Sequence, residues 1–130
     1  MNERMRIGEF AERAGVTPRT VRYYESLGLF EPSEREGGGF RYYTEVELTK
    51  LQKINHLKEL GLSLEEIATV LPLYFEDPTG VRGKQKVLEI LKLHLREAEE
   101  KMEALEQFRS ELRANIDRIQ RWLSERTKGE

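Results

Sequence analysis

The stretch from Thr17 to Phe30 has the sequence TPRTVRYYESLGLF and combines a helix start with bulky, hydrogen-bonding side chains. Thr17 can cap a helix, and Pro18 suits its first position because a missing N–H costs nothing there. Just upstream, RIGEFAERAG spaces its apolar residues as a helix does and stops at Gly15, which can adopt the left-handed conformation that ends a helix. The sequence therefore predicts two short helices joined by a very tight turn, a helix-turn-helix.

The second of these helices has an inner face marked by Val21 and Tyr24, so its polar side chains can point outward. In a helix-turn-helix the second helix lies in the major groove of DNA. Arginine forks suit guanine or phosphate, and a tyrosine hydroxyl suits phosphate. The alternative is that the arginines are only solvated and Tyr23 covers a small core. The candidate DNA contacts of this segment are Thr17, Arg19, Thr20, Arg22 and Tyr23.

The next segment, LFEPSEREGGGFRYYT, predicts a short β-hairpin, or wing. Strand-forming residues at Leu29–Phe30 and Phe40–Tyr43 flank a run that ends in three glycines. A hairpin can reach the DNA backbone or the minor groove, where arginine is favoured by the negative potential. Arg35 and Arg41 are therefore candidate contacts, while strand alternation sends either Tyr42 or Tyr43 inward.

A second pair of helices follows the wing. Thr44 with Glu47 and Ser63 with Glu66 form capping boxes, which predict a helix ending near Gly61 and another that Pro72 closes. Lysines near the end of the third helix can contact phosphate, although plain solvation is about as common for each alone. These candidates are Lys53 and Lys58.

From about Val81 the sequence shows a heptad pattern, which contains no proline or glycine between Leu88 and Arg126. Ten of its twelve a and d positions are apolar, which predicts a coiled-coil helix of about 45 residues, roughly 65 Å long. One such helix cannot bury its own apolar seam, and the amino-terminal module is too small to cover it, so a second copy is the simplest partner. The predicted dimer interface consists of Leu88, Leu91, Leu95, Ala98, Met102, Leu105, Leu112, Ile116, Ile119 and Leu123.

The composition excludes several kinds of site. The 130 residues include no cysteine, so disulfides, thiolate metal sites and thiol sensing are ruled out. His56 and His94 are too far apart in sequence to suggest a metal site, and nothing supports an enzyme. We expect no metal and no cofactor. The chain has neither a secretory signal nor a membrane-length apolar run, so we expect a soluble, cytoplasmic protein.

Tyr74 and Phe75 lie in a turn-rich joint ahead of the long helix. Most simply, these aromatic rings pack the long helix against neighbouring parts of the dimer. The alternative is a pocket for a small organic effector at this joint, with Tyr74 and Phe75 as its contacts.

Three motifs, RTVRYYESLGL, GFRYYT and LKELGLSLEEI, occur in an order and at separations that closely resemble the MerR family of bacterial transcription regulators. The resemblance covers Arg6 to about Leu71, and the long helix agrees with that family's antiparallel dimerisation helix. It implies a homodimer on an inverted repeat inside a promoter, which the protein bends and untwists for RNA polymerase. Carried onto matching positions, the implied DNA contacts are Arg19, Arg22, Tyr23, Arg35, Arg41 and Tyr43.

The sequence also departs from the family. Metal- and oxidant-sensing members use cysteines, which are absent here, and we expect neither their sensing loop nor a carboxy-terminal drug-binding domain. Activation by DNA distortion is the family's usual mode, whereas repression by occupancy needs less machinery.

The predicted fold class is mostly α, a winged helix-turn-helix followed by a long antiparallel coiled-coil dimerisation helix. The predicted divisions are a DNA-binding domain at 1–72, a joint at 73–80, a coiled coil at 81–126 and a tail at 127–130. The expected function is a homodimeric, sequence-specific transcription regulator whose partners are double-stranded DNA, a second copy and RNA polymerase. Two alternatives are a coiled-coil adaptor for another protein and an architectural DNA binder without sequence preference.

Overall fold

The computed structural model describes residues 4–32, 34–35 and 41–128. Within these ranges the chain forms helices and one small hairpin. In chain order the elements are α1 (Ile7–Ala14), α2 (Pro18–Ser26), β1 (Glu34–Arg35), β2 (Arg41–Tyr42), α3 (Glu45–Glu59), α4 (Leu64–Glu76) and α5 (Val81–Lys128).

The predicted helix-turn-helix is confirmed. Gly15 ends α1 with φ of 73°, a left-handed conformation in which a side chain would be strained. The N–H of Val16 then donates to the carbonyl of Ala11 at 3.0 Å, which closes the turn. Thr17 caps α2 by accepting from the N–H of Thr20 at 3.1 Å. Local bonds therefore define the turn between the two short helices.

The wing is a two-stranded antiparallel hairpin in which β1 pairs with β2. Met5 extends it on the other side through two backbone bonds with Tyr43, at 2.7 and 2.8 Å. The predicted strand at Leu29–Phe30 is wrong, because both residues are buried in the core and strand alternation would turn one of them outward. The triple glycine at 37–39 lies outside the described residues.

Both predicted capping boxes are present, at the starts of α3 and α4. The predicted end of α4 at Pro72 is wrong, since the helix continues to Glu76. Proline removes one helical hydrogen bond, which the carbonyl of Ala68 loses. The side chains of Leu71 and Tyr74, on either side of Pro72, are packed against other parts of the chain, and this packing keeps the helix intact despite the missing hydrogen bond.

The core of the DNA-binding part is aromatic and aliphatic. The ring of Phe10 stacks on that of Tyr43 with centroids 4.3 Å apart, and Phe30 approaches both at an angle. The helical contributions come from α1 to α4 and are almost fully buried: Ala11, Val21, Tyr24, Leu51, Ile54, Leu57, Ile67 and Val70.

The chain divides into two compact units, Met1–Ile90 and Leu91–Glu130. The first unit contains the helix-turn-helix, the wing, α3, α4 and the beginning of α5, where Val87 and Ile90 are buried. It therefore extends beyond the predicted boundary at 72. The second unit is the rest of α5, which continues through the predicted start of the tail at 127.

Candidate nucleic-acid interface

The outer face of α2 brings together the residues of this helix that were predicted to contact DNA. Arg19 and Arg22 are exposed, and the ring of Tyr23 is 53% exposed, whereas Val21 and Tyr24 are buried on the opposite face. In the part of the chain that the structure describes, neither guanidinium has a carboxylate partner. The guanidinium groups of Arg19 and Arg22 and the hydroxyl of Tyr23 can therefore donate hydrogen bonds to an external acceptor.

The start of α2 adds two hydroxyl groups to this face. Thr17 is exposed and Thr20 half-buried, and their hydroxyl oxygens lie 3.0 Å apart. Thr17 is also engaged as the cap, so its hydroxyl holds the first turn of α2 in place. This turn is the part of a recognition helix that enters the major groove first.

The prediction that Tyr43 contacts DNA is wrong. Its side chain is fully buried against Phe10, and its hydroxyl donates a hydrogen bond to the Oε1 atom of Glu25. Burial, together with this bond and the charge of Glu25, raises the pKa of Tyr43 well above its ordinary value. A tyrosine in this position cannot reach DNA, so Tyr43 belongs to the core.

Tyr42 is the outward member of the pair and lies among cations. It is half-buried, with the guanidinium of Arg4 4.7 Å and that of Arg6 5.8 Å from its ring centroid. Arg4 and Arg6 were not among the residues predicted from the sequence, because only the pairing of Met5 with Tyr43 brings the amino-terminal segment beside the wing. Arg41 is half-buried on β2 next to them. The side chain of Arg35, on β1, lies outside the described residues.

The two predicted lysines both lie on aromatic rings. The Nζ atom of Lys58 is 3.2 Å from the hydroxyl oxygen of Tyr24 and so connects α3 to the recognition helix. That of Lys53 lies 4.0 Å from the ring centroid of Tyr74. Burial, with repulsion from Lys84, lowers the pKa of Lys53. Their contact with phosphate stays a prediction.

Two family models match this chain. One, described as "MerR HTH family regulatory protein", matches residues 5–73, and the other, "MerR, DNA binding", matches residues 48–114. The chain belongs to the MerR family. Its members regulate transcription and bind DNA.

Relatives and solved structures agree with this assignment. The HTH-type transcriptional regulator PA4778 of Pseudomonas aeruginosa is 35% identical over 116 residues, which are 89% of this chain and 86% of that protein. The crystal structure of PbrR691 from Ralstonia metallidurans CH34, in complex with lead(II), superposes with a TM-score of 0.71 at 34% identity, covering 84% of this chain and 85% of that one. A cryo-EM structure of an EcmrR–DNA complex has a TM-score of 0.56 at 27% identity and covers 75% of this chain and 34% of that one.

The joint before α5 is packed by the aromatic residues that were predicted as effector contacts. Tyr74 lies against the backbone of Gly83, and Lys50 lies 5.2 Å from the ring centroid of Phe75. A groove of about 460 Å³ runs beside these rings and is also lined by His56. These contacts give both rings a packing role in this MerR-family chain, and an effector at Tyr74 and Phe75 stays a prediction.

In the second unit the predicted seam is uncovered. Its residues lie on a continuous helix with no other element of this unit against them, and the largest are strongly exposed, at 72% for Met102 and 66% for Leu105. On the outer face of this helix, Arg121 pairs with Asp117 at 3.1 Å, one helical turn apart. The seam positions on this unit are Leu91, Leu95, Ala98, Met102, Leu105, Leu112, Ile116, Ile119 and Leu123; Leu88, at the end of the first unit, is 53% exposed.

Across residues 4–32, 34–35 and 41–128, no group of three histidine, aspartate or glutamate side chains could hold a metal ion. Over the same ranges, no helix combines the length and apolar character needed to cross a membrane.

Proposed function

We propose that this chain is a homodimeric, sequence-specific transcription regulator that binds an inverted repeat within a promoter. The observation that carries the proposal is the outer face of α2, where Arg19, Arg22 and Tyr23 are exposed on a helix capped by Thr17. Such a face can place arginine forks on guanine edges and a hydroxyl on phosphate while α2 lies in the major groove. The other proposed contacts are Thr17, Thr20, Arg4, Arg6, Arg35, Arg41, Tyr42, Lys53 and Lys58.

The homodimer is supported by the apolar seam of the second unit. Exposed leucine, isoleucine and methionine side chains at a and d spacing leave a stripe far larger than isolated surface residues produce. A second copy offers an identical stripe, and closed two-fold pairing buries both. Two-fold symmetry in the protein then calls for an inverted repeat in the DNA.

The proposed action on the promoter is bending and untwisting, which would align the elements that RNA polymerase contacts. Support comes from family membership and from the likeness to EcmrR, whose structure contains DNA. Deforming DNA costs a few kcal/mol, an energy that depends on the sequence deformed and can be offset by contacts made along the bend. We infer that the protein does this work in the cytoplasm.

The test is selection of bound sequences from a random double-stranded pool by the purified protein. We expect enrichment of an inverted repeat with fixed half-site spacing. Binding without a motif, but with steep salt dependence, would instead identify an architectural binder. A folded dimer that binds no DNA would favour the adaptor for another protein.

Substitution of one recognition arginine provides the matched control. Arg22→Ala should weaken binding to the selected site about tenfold or more and relax the preference at the base pairs that Arg22 contacts. Arg118→Ala removes an equally exposed arginine from the outer face of α5 and should leave the affinity unchanged. Equal losses in both variants would mean that net charge alone holds the DNA.

A further inference from the structure

Glu25 is a buried carboxylate at the junction of the recognition helix and the wing. Its side chain is only 8% exposed although it lies on α2, close to the proposed DNA-binding face. The Oε1 atom accepts the hydroxyl hydrogen of Tyr43, and the Oε2 atom lies 2.9 Å from Nη1 of Arg41. Both partners come from the same end of the wing.

The two partners differ in how firmly they are held. Tyr43 is fixed by its stack on Phe10 and by the backbone bonds with Met5, so its hydroxyl sets the position of the Glu25 carboxylate. The side chain of Arg41, by contrast, is 34% exposed, and its close approach to Oε2 lacks hydrogen-bond alignment. Arg41 is therefore held by the charge of Glu25 and by a contact with the Tyr43 hydroxyl, while the exposed part of its guanidinium can donate hydrogen bonds toward solvent.

We propose that Glu25 is a positioning residue for DNA recognition: it holds the guanidinium of Arg41 at a fixed place relative to α2, so that one DNA backbone phosphate is contacted while α2 occupies the groove. Glu25 itself touches no DNA. The inference rests on the proposed function, since it requires Arg41 to contact phosphate.

Two opposing effects decide what removal of the carboxylate does. Its negative charge weakens the attraction of the nearby surface for DNA, so neutralisation alone would tighten binding to every sequence. Loss of its hold on Arg41 would weaken binding, because a long side chain must then be ordered at the moment of contact. We expect the second effect to win at the selected site, since Glu25 is shielded by burial and already paired with Arg41.

The experiment compares Glu25→Gln, Arg41→Gln and the double variant on the selected inverted repeat. Each single variant should lower the affinity on the order of tenfold, the loss typical of a charge-assisted contact. Each should also reduce the slope of log affinity against log salt by about 0.9 for each lost phosphate contact, thus roughly twice that per dimer. The double variant should bind no more weakly than Arg41→Gln alone.

Tyr43→Phe separates folding from positioning. It removes the hydrogen bond to Glu25 and the contact of the same hydroxyl with Arg41 but leaves the ion pair between Glu25 and Arg41, so thermal stability should fall while the salt slope changes less than in Glu25→Gln. If Glu25→Gln lowers stability only and keeps the slope, its role is structural and the inference fails.

Failure of the inference and failure of the proposed function give different results. If Arg41→Gln weakens binding but Glu25→Gln does not, or if Glu25→Gln tightens binding, only the positioning role is overturned. If Arg41→Gln changes neither affinity nor slope, Arg41 does not contact phosphate, and this inference fails together with that part of the proposed function.

Discussion

At the scale of single residues, Tyr43 sets an alkaline limit on the stability of the first unit. Its phenol has an ordinary pKa of 10.0, which burial, the bond to Glu25 and the charge of Glu25 raise in the folded chain. The unfolded chain therefore releases this proton near pH 10 while the folded chain keeps it. The contribution of protonated Tyr43 to the free energy of unfolding is fully present below pH 10. Above pH 10 it falls by about 1.4 kcal/mol per pH unit.

Tyr43→Phe tests this titration. At pH 7 the variant should lose about 1–3 kcal/mol, because the buried Oε1 atom of Glu25 loses the hydrogen bond from Tyr43. Since phenylalanine cannot ionise, the gap between the variant and the wild type should narrow as the pH rises above 10. The measurement is urea unfolding from pH 7 to 11. A gap that stays constant across that range would show that Tyr43 ionises as readily in the fold as outside it.

Gly83 is a second residue whose role is steric. A Cβ atom built on it would lie 2.6–2.7 Å from three ring carbons of Tyr74, far inside van der Waals contact. Alanine is favoured over glycine in a helix by about 1 kcal/mol, but overpacking of this kind costs about 1–3 kcal/mol. We therefore expect Gly83→Ala to lower the free energy of unfolding, measured by urea denaturation.

Two controls separate the clash from the helix propensity. Gly8→Ala places the same methyl group where nothing lies within 4 Å, so it should stabilise the chain. In a Tyr74→Ala background, Gly83→Ala should also become stabilising. If it remains destabilising there, the ring of Tyr74 is not the cause.

At the scale of elements, local signals in the sequence were sufficient to predict helix starts. Thr17, Thr44 and Ser63 each bond within their own first turn, so a few neighbouring residues determine the outcome. The end of α4 was not predictable in this way. Whether a helix survives Pro72 depends on packing that the flanking residues make with distant parts of the chain.

In the candidate site, too, the features set by neighbouring residues were predictable and those set by distant contacts were not. The outward set on α2 follows from helical periodicity, because Val21 and Tyr24 mark the buried face. The orientation of the wing does not follow from periodicity. Strand alternation predicts that either Tyr42 or Tyr43 points inward, but it does not say which of the two does. Pairing with Met5 decides it, and the same pairing brings Arg4 beside the wing. Contacts distant in sequence are thus what the sequence analysis missed.

The turn that precedes α5 is stabilised by the carboxylate of Asp77. Asp77 accepts hydrogen bonds from the hydroxyl of Thr79 at 2.6 Å and from the N–H of Arg82 at 3.1 Å. These bonds, that of the Thr79 hydroxyl first, lower the pKa of Asp77 below its ordinary 3.8. Its stabilisation is therefore present above pH 3.8 and is lost as the pH falls through the lower, folded pKa.

Asp77→Ala should loosen the first turn of α5. We expect faster hydrogen exchange at the amides of Val81 and Arg82, together with a lower melting temperature at pH 7, and no difference from the wild type once the pH falls below the folded pKa. Asp117→Ala removes a carboxylate from the outer face of the same helix and should leave exchange at Val81 unchanged. Unchanged exchange in Asp77→Ala would mean that packing alone fixes the start of α5.

At the scale of the whole molecule, the proposed function depends on whether the exposed seam pairs with a second copy. One copy carries one recognition helix, and a single helix reads too few base pairs to select a promoter, whereas a two-fold dimer reads both halves of an inverted repeat. Leu105 is a d position near the middle of the seam and is 66% exposed in one chain. Burying it against a second copy would stabilise association by about 1.5–3 kcal/mol for each chain.

Leu105→Lys should therefore convert the proposed dimer to a monomer, because pairing would bury two unpaired ammonium groups among leucines. The matched control is Ala104→Lys, which places the same side chain one position away on the outer face. Sedimentation equilibrium should give a dimer for the control and a monomer for Leu105→Lys, with a folded first unit in both. Binding to the selected repeat should fall sharply in Leu105→Lys alone, because each half-site then has to be bound independently. A monomer that still bound the full repeat with wild-type affinity would show that the two halves are read without α5, and the seam would then have to serve another partner.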